Sequence, residues 1–436
     1  MKIAQKSQIK IGLISSDKVG SKMAGPGIRY LNLARGLSEF FSLTLFVPDG
    51  CGLKEKNFKI VAFNSNRSSS DLARKIKGFD VIIAQNLRPP LLYKIKKAGI
   101  RYIADLYDPL VIEVLEYTKG EKKKLRQSTY DFNFYSLALQ LIFADHLLCA
   151  SRRQFDFYTG VISGRKVLDP AFYDKTLNLE KFITLAPFGL EQKPPEAKNP
   201  EAIFQKFPQI KKEDKIIYWG GGIWNWFDPI SVIKAIEILS AKRDDIKLFF
   251  LGMKHPNPKI KKMEMANTAY RYAKEKNLLD KFVFFNFDWT PYEERVDFLN
   301  SATIGISTHF DNVETRFSFR TRILDYLWAE LPMILTRGDA FAQLCREKNL
   351  GLVVDFEKPS QIAAAAEEII DQPALAATIK KNIREMKKDF YWSTISKSIA
   401  KIIKEELWNP AKFSTADFLC LTFDFYKAGL KKKLAK

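Results

Sequence analysis

The sequence predicts an α/β protein made of two doubly wound halves followed by C-terminal helices. Three observations carry that expectation. The chain has 436 residues, too many for one ordinary core. From residue 9 onward, short apolar strands alternate with amphipathic helices. The alternation breaks at 191–213, in "EQKPPEAKNPEAIFQKFPQIKKE", and then starts again. The expected boundaries are a first half over 1–190, a linker with a short helix over 191–213, a second half over 214–388, and C-terminal helices with a basic tail over 389–436.

In the first half, "IKIGLISS" is the opening strand, followed by a glycine loop and the helix "IRYLNLARGLSEF". "SLTLFVP", "DVIIAQ" and "RYIADLYD" continue the strands, with helices between them. A long helical stretch over 121–144 precedes "HLLCAS", a helix from Arg152, and the closing strand "FITLAPFGLE". In the second half, "KIIYWGGG", "IKLFFLG", "KFVFFNF", "TIGISTH", "PMILTRGD" and "LGLVVDF" read as strands. The helices between them include "DPISVIKAIEILSA" and 359–371. This repetition of βαβ units predicts parallel sheets with ligands at the carboxyl ends of their strands, in a cleft between the halves.

Composition narrows the function classes. Cys51, Cys149, Cys345 and Cys420 are far apart with no CxxC spacing, which argues against a disulfide framework or a zinc knuckle and for a reducing cytoplasm. "MKIAQKSQIKIGLISS" reads as a first strand, neither a signal peptide nor a membrane span, and no segment reaches eighteen uninterrupted apolar residues. The formal charge of +20 attracts nucleic acid, anionic lipid and phosphorylated small molecules alike. Because the lysines are spread over many helices and no RNA-binding module is recognisable, nucleic acid is not an expected partner.

Two glycine loops follow strands and lead into helices, the position that favours an anion on backbone N–H groups. In "KVGSKMAGPGIRYLNLA", Gly25 and Gly27 mark such a loop, though not a GxGxxG, and a plain strand-to-helix turn is the alternative. In "YWGGGIWNWFDPISVIKA", Gly221 and Gly222 leave the backbone unobstructed. Trp224, Trp226 and Phe227 beyond them are wall or core residues, and Asp228 before Pro229 is a helix N-cap candidate.

The segment "STHFDNVETRFSFRTRILDYLWAELP" leaves a strand, crosses a polar loop and enters a helix near Ser318 to Thr321. Leu324, Leu327 and Trp328 have core spacing, while Arg322 and Asp325 share another face. A carboxylate there can accept from both hydroxyls of a ribose, and a guanidinium can hold a diphosphate; an ordinary i,i+3 surface pair is the competing explanation. His309 lies just inside this loop and is a further site candidate, whereas His146 and His255 read as structural and loop residues.

At these residues the chain resembles GT-B glycosyltransferases of the large retaining family 4 group. "LDYLWAELPMIL" stands where that family has a helix written E-A-M-A-x-G-x-P-V-I, with Asp325 at its ribose-binding Glu and Glu330 at its usual Gly. "MAGPGIRYLNLARGL", "LLCASRRQFDFYTG" and "LAPFGLE" match other parts in the right order, so the resemblance spans most of 9–400. It implies two Rossmann-like domains facing a central cleft, with the acceptor on the first and a nucleotide sugar on the second. No cofactor and no metal are implied. Gly221 and Gly222 would approach the phosphates, Arg320 and Arg322 would neutralise them, and Asp325 would hold the ribose. The family's first acid would fall at Phe317, so Glu314 takes its role against the sugar through a small insertion, or the role is lost. Asp105 and Asp108 would face the acceptor, Asp108 near the family's His-Asp pair and Tyr107 replacing its His. The expected partners are a nucleotide sugar and a glycan or lipid-linked acceptor, as in envelope polysaccharide synthesis. A nucleotide-sugar epimerase of the same fold is the alternative, and a basic nucleic-acid-binding protein a more remote one.

The tail "WNPAKFSTADFLCLTFDFYKAGLKKKLAK" places Phe418, Leu419, Leu421, Phe423, Phe425 and Tyr426 before Lys431, Lys432, Lys433 and Lys436. Rings beside lysines suit an anionic membrane surface, which would make the protein peripheral on the inner face of a membrane. Packing of the same rings back onto the first domain is the other reading.

Overall fold

The computed structural model describes residues 7–20, 23–175, 178–253, 263–288, 290–405 and 414–435. His255 and Lys436 lie outside them. The chain divides into two compact units, one of 1–189 with 392–436, the other of 190–391.

The first unit has a seven-stranded sheet in the order β3-β2-β1-β4-β5-β6-β7, all of whose pairs are parallel. Its strands are β1 (Ser7–Ile14), β2 (Phe41–Pro48), β3 (Lys59–Phe63), β4 (Val81–Ala84), β5 (Arg101–Asp105), β6 (His146–Cys149) and β7 (Ile183–Leu185). Strands β4 and β6 are buried at every position, which is why "VIIA" and "HLLC" read as continuous apolar runs rather than alternating ones. His146 is part of this burial. Its Nε2 lies 2.9 Å from Thr184 Oγ1, and removal from water lowers its pKa to about 4.

The second unit has a six-stranded parallel sheet in the order β10-β9-β8-β11-β12-β13. These strands are β8 (Lys215–Gly222), β9 (Ile246–Gly252), β10 (Val283–Phe285), β11 (Ile304–Ser307), β12 (Met333–Thr336) and β13 (Gly351–Val354). The paired residues Phe250 and Phe285 stack with ring centres 4.7 Å apart, so register and core packing reinforce each other. In both sheets the strand order reverses beside the first strand of the unit, between β1 and β4 and between β8 and β11. Loops leaving the two strands at such a reversal diverge to opposite faces and open a crevice at their carboxyl ends.

The segment expected as a linker, 191–213, belongs to the second unit. Ile203 and Ile210 are buried, Lys193 O accepts from Trp328 Nε1 at 2.6 Å, and Asp297 accepts from Lys198 N and Asn199 N. Pro and Lys around two isolated isoleucines conceal this docking in the sequence. The C-terminal helices return to the first unit: Trp392–Lys404 packs on Gly25–Leu37, and Thr415–Ala435 packs on Lys123–Phe143.

Candidate functional site

In the second unit, the three glycines form the exposed end of β8. Gly221 has φ +71°, a left-handed conformation that glycine adopts without strain, and Gly221 and Gly222 are exposed. Gly220 N donates to Tyr326 Oη at 3.0 Å, and the same hydroxyl lies 2.8 Å from Ile306 O and 3.2 Å from Tyr218 O. Tyr326 thus ties β8 to β11 at the strand reversal. Its ring fits because Gly305 has no side chain; a methyl there would lie 2.5 Å from the ring.

The segments following β8 and β11 are joined further along. Asp228 N donates to Thr308 O at 3.0 Å, Thr308 Oγ1 donates to Asp228 O at 2.6 Å, and Phe227 bridges to His309. Asp228 is an N-cap, its Oδ1 accepting from Ser231 N at 3.0 Å. Trp226 and Phe227 are buried, and Trp226 stacks on Trp224 with ring centres 5.2 Å apart.

The polar segment after β11 does not enter one helix. It forms the short helix Val313–Phe317, capped by Asn312 Oδ1 on Thr315 N, and then a second helix, Arg322–Trp328. This break decides the fate of the four charged candidates. Glu314 and Arg320 face each other across it in a bidentate pair at 2.8 and 2.7 Å, and both are nearly buried. Expected to reach sugar and phosphate separately, they are instead each other's partner, since two buried charges six residues apart stabilise the break only as a pair.

Arg322 is different. Its Nη2 donates to Gly222 O at 2.6 Å, and its guanidinium carbon lies 4.0 Å from the Phe227 ring centre and 4.7 Å from that of Trp219. Among the described residues no carboxylate pairs with it, and Nη1 is buried without a partner. Burial lowers its pKa to about 10, the neighbouring Arg320 adding to the effect. One turn on, Asp325 Oδ1 accepts from Arg295 Nε at 2.9 Å, and its side chain keeps 27% exposure. The i,i+3 pair of Arg322 with Asp325 is therefore not formed; each has a partner from elsewhere in the fold. Nothing in the sequence around Arg295 marks it for this role, because thirty residues separate it from Asp325.

His309 is enclosed. Its Nε2 lies 3.2 Å from Arg337 O and its Nδ1 4.0 Å from Asp339 Oδ2, and burial pushes its pKa well below the usual histidine value. Instead of a proton-exchanging group at the surface of the loop, it is a neutral ring behind it.

In the first unit, Asp105 is corrected most clearly. It is fully buried and bound bidentately by the equally buried Arg29 at 2.6 and 2.7 Å, while Arg29 also donates to Pro187 O and Ala186 O. Asp105 locks the helix Gly25–Leu37 to the end of β5 and does not face an acceptor. Gly27 lets the helix approach the loop that precedes it, since a side chain there would run into Lys18 O. Gly25 opens the helix with free space around it. Asp108, by contrast, lines a small recess with Gln85, Asn86, Asn133 and Gln140, at the carboxyl ends of β4 and β5 beside the strand reversal. Among the described residues no cluster of His, Cys, Asp and Glu has the makings of a metal centre.

Comparison with known proteins agrees with this architecture. Residues 200–386 match the family model described as glycosyl transferases group 1. Sucrose-phosphate synthase from Thermosynechococcus elongatus superposes with a TM-score of 0.62 at 15% identity, over 91% of this chain and 99% of that one. WaaG, described as a glycosyltransferase involved in lipopolysaccharide biosynthesis, gives 0.60 at 14% identity over 91% and 100%. Anabaena HepE in complex with UDP and glucose gives 0.62 at 13% identity over 92% and 100%. None of the curated proteins matches the sequence. At these identities the structures establish the fold. The chain has the GT-B fold, and its residues 200–386 match the glycosyl transferases group 1 family model.

Proposed function

We propose that the protein transfers a sugar from a nucleoside-diphosphate sugar to a hydroxyl of a glycan or lipid-linked acceptor. The observation that carries the reading is Arg322: a buried cation with no carboxylate partner among the described residues, bonded to the carbonyl of the exposed glycine end of β8 at a strand reversal, one turn from the half-open Asp325. An uncompensated charge in that place stabilises an anion on the glycine amides. In this reading Gly221 and Gly222 receive the diphosphate, Arg322 supplies positive potential from behind, and the free oxygen of Asp325 accepts from the ribose hydroxyls. As the bond from the anomeric carbon to the phosphate oxygen breaks, the same groups stabilise the charge that develops on the leaving diphosphate. The acceptor oxygen bonds to the anomeric carbon and passes its proton to the leaving diphosphate. Asp108, in its recess of amide side chains and leucines, holds acceptor hydroxyls. Retention of configuration, independence of divalent metal and a role in envelope glycans rest on the family resemblance and on relatives such as WaaG.

The test is to offer UDP, GDP, ADP and dTDP sugars with glycan and lipid acceptors, in chelator, and to measure nucleoside diphosphate release. Acceptor-dependent release from one donor class is expected, and inversion of the sugar without an acceptor would mean an epimerase. No release from any donor, together with no calorimetric binding of any nucleoside diphosphate, would overturn the proposal.

A further inference from the structure

The helix Thr415–Ala435 is apolar on two sides. Phe418, Leu421, Phe425 and Ala428 are buried, with the Phe425 ring 4.7 Å from Phe132 and the Phe418 ring 5.3 Å from Phe143. This part of the tail packs back on the first unit. A second series, Leu419, Phe423, Tyr426, Leu430 and Leu434, is 51 to 74% exposed. At about 100° per residue these five fall within an arc of about 80°, roughly opposite the buried four. Leucines and aromatic rings at steps of four and three residues, over the length of a helix already anchored by its other face, form a continuous stripe that water alone covers poorly.

Charge decides what fits the stripe. Exposed Lys427 and Lys433 lie about 60° to either side of its midline, with exposed Lys431 beyond Lys427, while Asp417 and Asp424 lie more than about 110° away. Lys427 Nζ is 5.7 Å from the centre of the Phe423 ring, so cation and apolar surface are contiguous. A second copy of the helix would bring lysines against lysines with no acid on that arc to match them. Anionic headgroups supply both the missing charge and an apolar layer beneath it. We infer that the outer face of Thr415–Ala435 docks on an anionic lipid surface, with Phe423 and Leu430 at its centre and Lys427 and Lys433 on its flanks. Among the described residues no helix is long and apolar enough to cross a membrane, so the helix lies along the surface. The partner helix Lys123–Phe143 also supplies Asn133 and Gln140 to the Asp108 recess, which would bring that recess close to the lipid.

Flotation of the full chain with phosphatidylcholine vesicles, with and without phosphatidylglycerol, tests this. Wild type should bind the anionic vesicles at least about tenfold more tightly than the neutral ones, and less tightly as salt is raised. The pair Phe423→Ser with Leu430→Ser and the pair Lys427→Glu with Lys433→Glu should each lose about tenfold or more, with unchanged melting and unchanged nucleoside diphosphate binding in solution. Those two controls separate this inference from the sugar-transfer reading. Absence of binding by wild type, indifference to phosphatidylglycerol, or full binding by the lysine pair would overturn it. So would a dimer in sedimentation equilibrium that Phe423→Ser with Leu430→Ser dissociates.

Discussion

Replacing Arg322 by Met should make the free protein more stable and the ligand-bound protein weaker, a combination that a structural arginine does not give. Met keeps an unbranched apolar stem and removes the charged guanidinium that lies against the Trp219 and Phe227 rings. A pKa lowered to about 10 by burial corresponds to a cost on the order of 3 kcal/mol at neutral pH, which the substitution relieves. Losing the hydrogen bond to Gly222 O returns about 1 kcal/mol of it, and losing the contacts with the Trp219 and Phe227 rings about 1 kcal/mol more. The net gain is on the order of 1 kcal/mol, or a few degrees in the melting point of the second unit. A phosphate on the Gly221 and Gly222 amides would sit roughly 7 Å from the guanidinium, where an effective dielectric constant of about 20 gives an attraction on the order of 2 kcal/mol, about thirtyfold in Kd. Differential scanning calorimetry of the free variant, and titration with nucleoside diphosphate and with the matching nucleoside, read both quantities. Equal loss for nucleoside and diphosphate, or a destabilised free protein that binds diphosphate normally, would refute the reasoning.

Asp325→Asn should weaken binding of nucleoside and diphosphate alike, because the ribose contact is common to both, and should cost stability on the order of 1 to 3 kcal/mol by stripping the nearly buried Arg295 of its charge partner; titration and thermal melting read the two effects. Tyr326→Phe removes the hydroxyl shared by Gly220 N, Ile306 O and Tyr218 O, so urea denaturation should show a loss of about 1 to 3 kcal/mol and nucleoside diphosphate affinity should fall although the ring is retained. His146 and His309 are neutral in the fold and have lowered pKa values, so the unfolded chain binds protons that the folded one does not. Stability is therefore full above the ordinary histidine value near pH 6.5 and declines as pH falls toward 4; for His146 alone the fall is up to about 3 kcal/mol. His146→Gln should flatten that part of the pH–stability curve in urea titrations.

The alternation of strands and helices was legible because parallel strands covered on both faces are written as uninterrupted apolar runs, as in "VIIA", "HLLC" and "MILT". The exposed glycine end of β8 was legible for a similarly local reason, since three consecutive glycines leave a backbone free of side-chain obstruction. Partner choice among charges was not. Arg320 and Arg322 look equivalent in sequence, yet a break in the helix between them delivers one to Glu314 and leaves the other against Gly222. Asp105 and Asp108 look equivalent too, but β5 ends at Asp105 and turns its carboxylate inward to Arg29, 76 residues away in sequence. Glu330, where the family usually has glycine, does adopt the glycine-like conformation with φ +53°, and its carboxylate takes Arg384 and Lys387 at 2.6 and 2.8 Å. Those two ion pairs offset the backbone strain and explain how a non-glycine residue stands there. The tail divided in a way that neither reading anticipated, because alternate members of one apolar run face opposite sides of a single helix.

A crystal structure of the protein with a nucleoside diphosphate tests the central claim most directly. Phosphate oxygens should lie within hydrogen-bonding distance of the Gly221 and Gly222 amides, above Arg322, with the ribose hydroxyls on Asp325. Phosphates bound elsewhere, on the helix start at Gly25 or on a surface lysine cluster, with the glycine end of β8 empty, would contradict it.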